Sequence, residues 1–334
     1  MNRWLRFGAT RLLGLFGVLL MMVLVLFALR QIIPIDPARS AVGPNAPEEV
    51  VIAKRIEMHL NESVSSQFLN YLSDITRADF GTSIVTKNSV SKDITKTIKP
   101  SLELMLFSVF LSVVFGFAVA IIQAIAQSAR VFRWVLLIFS AVPNYLLALI
   151  GLYFLWFKFG LLPSGGRSSL EVISKGPTGF LSIDYLIKFN FGGLLDALQH
   201  LILPSIVLGM PMTIAISRSL QSSLFSVLRS NYVRTAKSKG LTPRQILFAH
   251  SLRNSMNSPL AMFGLYFGLM LTNLLIVEQI FAWPGIGAYA VRAIAASDLT
   301  AILGVSMVFG VLYILVNTAV EIAQVYFDPR IRPN

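Results

Sequence analysis

The chain has 334 residues, of which 55% are hydrophobic and only 13% charged, and its formal net charge is +12. A mean hydropathy of +0.71 excludes a soluble globular domain, which has no interior large enough for that much apolar surface. The positive charge gathers in short segments between apolar stretches, so it is read as a topology signal and not as a nucleic-acid footprint.

Six stretches contain no Lys, Arg, Asp or Glu: residues 12–29, 104–127, 134–157, 197–217, 254–277 and 299–320, each 18 to 24 residues long. A helix rising about 1.5 Å per residue needs about 20 residues to cross about 30 Å of hydrocarbon, so all six are predicted to span a bilayer. Helices are required because lipid offers no hydrogen-bond partner to an open backbone, and the alternating segments of about 10 residues that a barrel needs are not seen. The predicted fold class is an all-α polytopic membrane protein with six transmembrane helices.

The first span and the residues before it occupy 1–33. Arg3, Arg6 and Arg11 ahead of an apolar run also resemble a cleavable signal, but the run exceeds the roughly 7 to 15 residues of such a signal. Arg30, Gln31 and Pro34 supply no clear small-residue cleavage site, so the segment is expected to remain as an anchor. Residues 34–101 carry eight basic and eight acidic residues and read as a small external cap. One of its two helix-like pieces opens at Pro47-Glu48-Glu49, with Ile52, Ile56 and Leu60 on one face. Residues 102–334 hold the five remaining spans. Pro143 in the third and Pro211 in the fourth are expected to free backbone carbonyls and bend their helices. Residues 158–196, rich in Gly and Ser, are expected to form a loop with little regular structure.

Residues 218–257 carry seven basic residues and no acidic one. Leu220, Leu224, Val227 and Leu228 continue a helical stripe out of the fourth span, and residues 232–239 are predicted to form one more short helix. Gly240 suits a left-handed cap. Thr242-Pro243-Arg244-Gln245 then has an N-cap residue, proline at the first helical position and glutamine three residues past the cap, the pattern of a capping box. Spacing alone leaves two readings open, a rigid elbow on which a partner docks and an amphipathic loop attracted to anionic headgroups. After the fifth span Glu278 is expected at headgroup level, where a carboxylate is well solvated.

Orientation follows from the basic residues. With the N-terminus inside, the interior segments hold Arg3, Arg6, Arg11, Arg130, Arg133, Arg218, Arg229, Arg234, Lys237, Lys239, Arg244, Arg253, Arg330 and Arg332, against one clearly placed acid, Asp328. The positive-inside rule therefore puts both termini in the cytoplasm.

Arg234-Thr235-Ala236-Lys237-Ser238-Lys239-Gly240-Leu241, followed by His250-Ser251-Leu252-Arg253-Asn254, resembles the cytoplasmic EAA loop of binding-protein-dependent ABC importer permeases of the peptide and nickel branch. Further landmarks occur in the expected order. They are Asp36-Pro37-Ala38, Asp79-Phe80-Gly81-Thr82-Ser83, His200-Leu201-Ile202-Leu203-Pro204, Glu278 with Phe281-Ala282-Trp283-Pro284-Gly285-Ile286-Gly287, and Asp328-Pro329-Arg330. Two departures stand out. Arg234-Thr235-Ala236 replaces Glu-Ala-Ala, as is usual in the peptide branch, and His59-Leu60-Asn61 occupies the place where relatives commonly have Gly-Leu-Asp before a proline.

The resemblance implies a permease subunit in a bacterial inner membrane that forms half of a substrate pathway. It pairs with a second homologous permease, two ATPase subunits and an external binding protein. Peptide is the preferred substrate, with glutathione and nickel complexes open. Tyr232, Arg234, Thr235, Ala236, Lys237, Lys239, Gly240, Leu241 and Thr242 would form the coupling helix and turn that meet an ATPase. The chain has no Gly-x-x-x-x-Gly-Lys-Ser/Thr loop, so ATP and Mg are expected on the partner ATPases and no cofactor or metal on this chain.

Polar residues within spans must face protein or water. Gln123, Ser140, Asn144, Thr213, Thr272, Asn273 and Asn317 are therefore candidates for the lining of the route or for polar contacts between helices, and Glu278 for a gate. A secondary transporter would show internal repeats or acids near the midplane, and neither is evident. An enzyme would need a catalytic constellation, but His59, His200 and His250 are scattered and form no metal-binding motif.

Overall fold

The computed structural model describes residues 3–32, 36–43, 45–125, 130–170 and 176–327. The Asp328-Pro329-Arg330 landmark and Arg332 lie outside the described residues. So do residues 33–35, which follow the first span, and residues 126–129, which include the end of the second.

In chain order the helices begin with α1 (Arg3–Ile32), α2 (Pro37–Val42), α3 (Glu48–Glu57), α4 (Val64–Thr76) and α5 (Val90–Ile125). Next come α6 (Arg130–Ala141), α7 (Asn144–Gly151), a π-helical turn (Leu152–Lys158), α8 (Leu181–Ile187) and α9 (Phe191–Leu228). They are followed by α10 (Asn231–Ser238), α11 (Pro243–Gln245), a second π-helical turn (Ile246–Ser251) and α12 (Leu252–Asn254). The last three are α13 (Asn257–Ile280), α14 (Ile286–Ala295) and α15 (Leu299–Phe327). Among the described residues the only isolated β pairing is a bridge between Thr82 and Ser89. The all-α polytopic class expected from the sequence therefore holds.

Two expectations need correction. Among the described residues, five helical segments are long and apolar enough to cross a bilayer, namely Leu13–Ile32, α5, α9, α13 and α15. The stretch 134–157, expected as one span, is divided at Val142 and Pro143 into α6 and α7. Proline lacks an N–H and disfavours helical backbone at the residue before it, so Pro143, at ψ 146°, interrupts the helix outright where a bend was expected. Pro211, by contrast, leaves α9 continuous. The segment 158–196 also has more order than its Gly and Ser content suggests. It contains α8 and the first turn of α9, which opens where the Asn190 side chain accepts the N–H of Gly193.

The chain divides into two compact units, Met1–Lys99 with Pro284–Ile314, and Pro100–Trp283 with Leu315–Asn334. In the first, Val23 and Leu26 of α1 and Leu299, Leu303 and Met307 of α15 form a core covered by Phe68, Tyr71, Leu72 and Ile75 of α4. Phe27 meets Phe68 edge-on, with ring centres 5.3 Å apart. Buried Asp298 starts α15 by accepting the N–H of Ala301, and it also accepts the Ser83 hydroxyl and the N–H groups of Ile84 and Val85. One carboxylate thus ties the Asp79–Ser83 landmark to α15.

In the second unit α9 is the central element and packs against α5, α7, α8 and α13. Small residues bring the helices close: Ser112 donates to the Gly209 carbonyl at 2.8 Å. A Cβ on Gly209 would lie 2.4 Å from that hydroxyl oxygen. Gly151 likewise faces Leu203, and Gly264 faces Asn317. Helices in lipid associate through such close contacts because no hydrophobic drive separates a helix surface from the acyl chains.

Candidate functional site

The segment after α9 is built as its sequence pattern predicts. α9 runs on to Leu228, and Leu220 and Leu224 pack with Ala120 of α5 and Leu247 in a buried cluster. A turn at Arg229 and Ser230 leads into α10. α10 ends in a Schellman cap, in which the N–H of Gly240 bonds the Lys237 carbonyl at 3.0 Å and that of Leu241 bonds the Ala236 carbonyl at 3.3 Å. Gly240 has φ +82°, a region that favours glycine because it has no Cβ. Thr242 and Gln245 then close a reciprocal capping box, with Pro243 at the first helical position.

The elbow has a buried side and an exposed side. Val233, Ile246 and Leu247 are buried, and each contributes about 1.5–3 kcal/mol to holding the elbow in place. Tyr232 is exposed but tied by its hydroxyl, which accepts the Asn254 side-chain amide at 3.1 Å. Arg234, Thr235, Lys237, Lys239, Gly240 and Thr242 all face solvent, while Ala236 and Leu241 are half-buried. Arg229, Arg244 and Arg253 extend the exposed basic surface. The result is a cationic ridge whose turn is closed by the Schellman cap and the capping box, with the basic side chains on the exposed face.

The polar residues of the spans do not converge on one point. Gln123 is 6% exposed, and its buried amide has no hydrogen-bond partner among the described residues; the same is true of the Asn144 nitrogen. Thr213 turns back on the Gly209 carbonyl at 3.0 Å, and Asn273 on the Leu269 carbonyl at 3.0 Å. Asn317 fills the space beside Gly264, Thr272 is exposed, and Ser140 accepts from Arg218. Glu278, expected among headgroups, is instead completely buried and accepts the Ser101 hydroxyl. Its partner lies 177 residues away on α5, which hydropathy does not reveal.

Sequence reasoning passed over Glu103, Arg167, Asp184 and Trp283 as site residues. Asp184 accepts the hydroxyl and N–H of Thr178 and the N–H of Gly179. Burial pushes its carboxyl up, but the Thr178 hydroxyl, the two amides and Lys188 outweigh it and hold the group below the usual carboxylate range. Glu103 and Arg167 form an ion pair with both side chains at most 10% exposed. The available signal was a charge placed directly at the edge of an apolar stretch, where it is expensive unless paired.

Long apolar helices with small-residue packing and an exposed basic elbow define a helical membrane protein. Residues 112–333 match the family described as binding-protein-dependent transport system inner membrane component. Residues 4–98 match the N-terminal region of such components. The chain belongs to this family and is a membrane permease subunit of a binding-protein-dependent transport system. It is 33% identical to the di/tripeptide transport system permease protein DppB of Pseudomonas aeruginosa, over 98% of this chain and 99% of the relative. It is 31% identical to the dipeptide transport system permease protein DppB of Alkalihalophilus pseudofirmus, over the same shares. Identity to the glutathione transport system permease protein GsiC of Salmonella typhimurium is 32%, again over 98% and 99%.

Proposed function

We propose that this permease subunit forms half of the route by which short peptides enter a cell, driven by ATP hydrolysis on separate ATPase chains. The observation that carries the reading is the elbow. Its inner side is anchored by Val233, Ile246 and Leu247, and its outer side presents Arg234, Lys237 and Lys239 on a short helix and its C-terminal cap, which the Schellman bonds of Gly240 and Leu241 close. Such a ridge can transmit a push from a docked ATPase into α9 and α13 because it is rigid and continuous with both. In this reading a second homologous permease completes the route, two ATPases hold ATP and Mg, and an external binding protein delivers the peptide. Both termini and the elbow lie in the cytoplasm, residues 34–101 form the external cap, and Tyr232, Thr235, Ala236, Gly240, Leu241 and Thr242 complete the docking surface. Gln123, Asn144, Thr213, Thr272, Asn273 and Asn317 are proposed for the route and Glu278 for its gate. Relatives named for glutathione match as well as those named for dipeptides, so glutathione is the second reading.

The decisive experiment is co-purification of the complex after mild detergent extraction, with and without Ala236→Glu. The parent chain is expected to bring down ATPases whose hydrolysis rises when loaded binding protein is added. Ala236→Glu, which puts bulk and an unpaired charge at the contact, is expected to lose them. Undiminished ATPase recovery and peptide uptake with Ala236→Glu would show that the elbow is an ordinary lipid-facing loop. Competition of labelled dipeptide uptake by glutathione separates the two substrate readings.

A further inference from the structure

Segments of the Pro100–Trp283 unit that lie far apart in sequence meet around residues 100–103 of α5. The Pro100 carbonyl accepts the indole N–H of buried Trp283 at 3.0 Å. The Ser101 hydroxyl donates to the Glu278 carboxylate, and both residues are closed to solvent. Glu103 accepts the N–H of Ser182 at 2.7 Å and its hydroxyl at 2.6 Å, and pairs with Arg167. Arg167 also donates to the Gly179 carbonyl at 3.2 Å, and its guanidinium carbon lies 5.9 Å from the centre of the Trp283 ring. Beside it the N–H of Gly166 reaches the Phe281 carbonyl at 2.8 Å. A Cβ on Gly165 would lie 2.2 Å from that same oxygen, so the backbones touch.

Two stretches, residues 164–169 and 176–187, are thereby strapped onto α5 where its apolar stretch begins and onto the C-terminal end of α13. The strap is held by an ion pair of a different kind from those in the cap segment. Arg39–Glu48, Lys54–Glu57 and Arg55–Asp36 have side chains between 28% and 68% exposed, where water and salt weaken the attraction. Arg167 and Glu103 are 10% and 5% exposed. Separating such a buried pair inside the protein would leave uncompensated charges, so it resists partial opening far more than the exposed pairs do.

We propose that Arg167 is a positioning residue for transport: its pair with Glu103 latches the strap to α5 where its apolar stretch begins and to the C-terminal end of α13 and keeps this region in its closed arrangement until the cycle opens it. The proposal rests on the permease reading above. It leaves the substrate untouched and concerns only the switching of this region.

The chain has no cysteine of its own, so Leu181→Cys, at a position 3% exposed beside the Ser182 anchor, reports on the strap without interference. It is combined with Arg167→Met, Glu103→Gln or Arg167→Lys in the assembled, detergent-purified complex. Arg167→Met and Glu103→Gln are each expected to speed thiol labelling at position 181 by at least about tenfold, because each leaves one buried charge without its partner. Both are also expected to raise ATP hydrolysis in the absence of binding protein, since the closed arrangement no longer holds. Arg167→Lys keeps the charge but loses the guanidinium fork that also reaches the Gly179 carbonyl and the Trp283 ring, so it is expected to fall between the parent and Arg167→Met in both measurements. Glu103→Gln keeps the side-chain shape and an acceptor for Ser182, so it decides the matter where Arg167→Met does not assemble. Unchanged labelling in the neutral variants overturns the latch. Faster labelling with unchanged basal hydrolysis overturns the positioning role. Absence of any hydrolysis by the parent complex counts against the permease reading instead, and the labelling result still judges the latch.

Discussion

Replacing Gly240 by valine tests the elbow at a point where the structure isolates one physical term. Gly240 has φ +82°, and a Cβ built on it meets nothing within 4 Å, so that carbon is in no conflict with neighbours. What remains is the backbone penalty, about 1 kcal/mol for alanine and up to about 2 kcal/mol for a β-branched residue in the left-handed region. Those energies shift the balance between capped and uncapped elbow by about 5-fold and 30-fold. The loss is local: the N–H groups of Gly240 and Leu241 leave the Lys237 and Ala236 carbonyls, while Val233, Ile246 and Leu247 stay buried. Hydrogen exchange at those two amides should therefore accelerate by about these factors, in the order Asn, Ala, Val, since asparagine tolerates this conformation. Peptide uptake and stimulated ATP hydrolysis should fall in the same order, with insertion and expression near the parent level. Valine with parental amide protection and parental uptake would refute the reasoning. Asparagine as damaging as valine would show that something other than backbone conformation is at stake.

Gly209→Ala should lower the unfolding midpoint in detergent, because its Cβ would sit 2.4 Å from the Ser112 hydroxyl oxygen and 2.9 Å from the Ser108 carbonyl oxygen. Forcing α5 and α9 apart is expected to cost about 1–3 kcal/mol, and an unchanged midpoint would contradict that packing. Asp184 has a folded-state pKa below its unfolded value of about 3.9, so its contribution is complete above that value and is lost as pH falls through the folded one. Amide protection at Thr178 and Gly179 should therefore persist at pH 5 and collapse only in stronger acid, and Asp184→Asn should abolish this pH dependence; protection lost already near pH 6 would reverse the sign. Cysteines placed singly at Ser65 and Ser238 should react with an impermeant thiol reagent from opposite sides, Ser65→Cys in intact cells and Ser238→Cys only after lysis. Reaction of both from one side would sink the proposed orientation.

Local features were legible in the sequence wherever the relevant physics is local. The capping box at Thr242 and Gln245, the glycine cap at 240 and the helix opening at Glu48 each depend on a few adjacent residues. Pro143 was legible as a disturbance but not as a complete interruption, because bending and breaking differ in what the surrounding helices supply. The order in residues 158–196 was missed because it comes from three carboxylates, Glu103, Asp184 and Asp196, each accepting hydrogen bonds from elsewhere in the segment. None of these pairings has a sequence period.

By itself the sequence determined that this protein is helical and lives in a membrane, because hydrogen-bond satisfaction in lipid depends only on the length and apolarity of each stretch. It also determined the shape of the elbow, since caps are satisfied within a few residues. Only the tertiary structure decided that Glu278 is buried against Ser101 and that Arg167 is held by Glu103. Those partners stand 177 and 64 residues apart, and a charge becomes affordable in an apolar interior only when folding brings its partner to it.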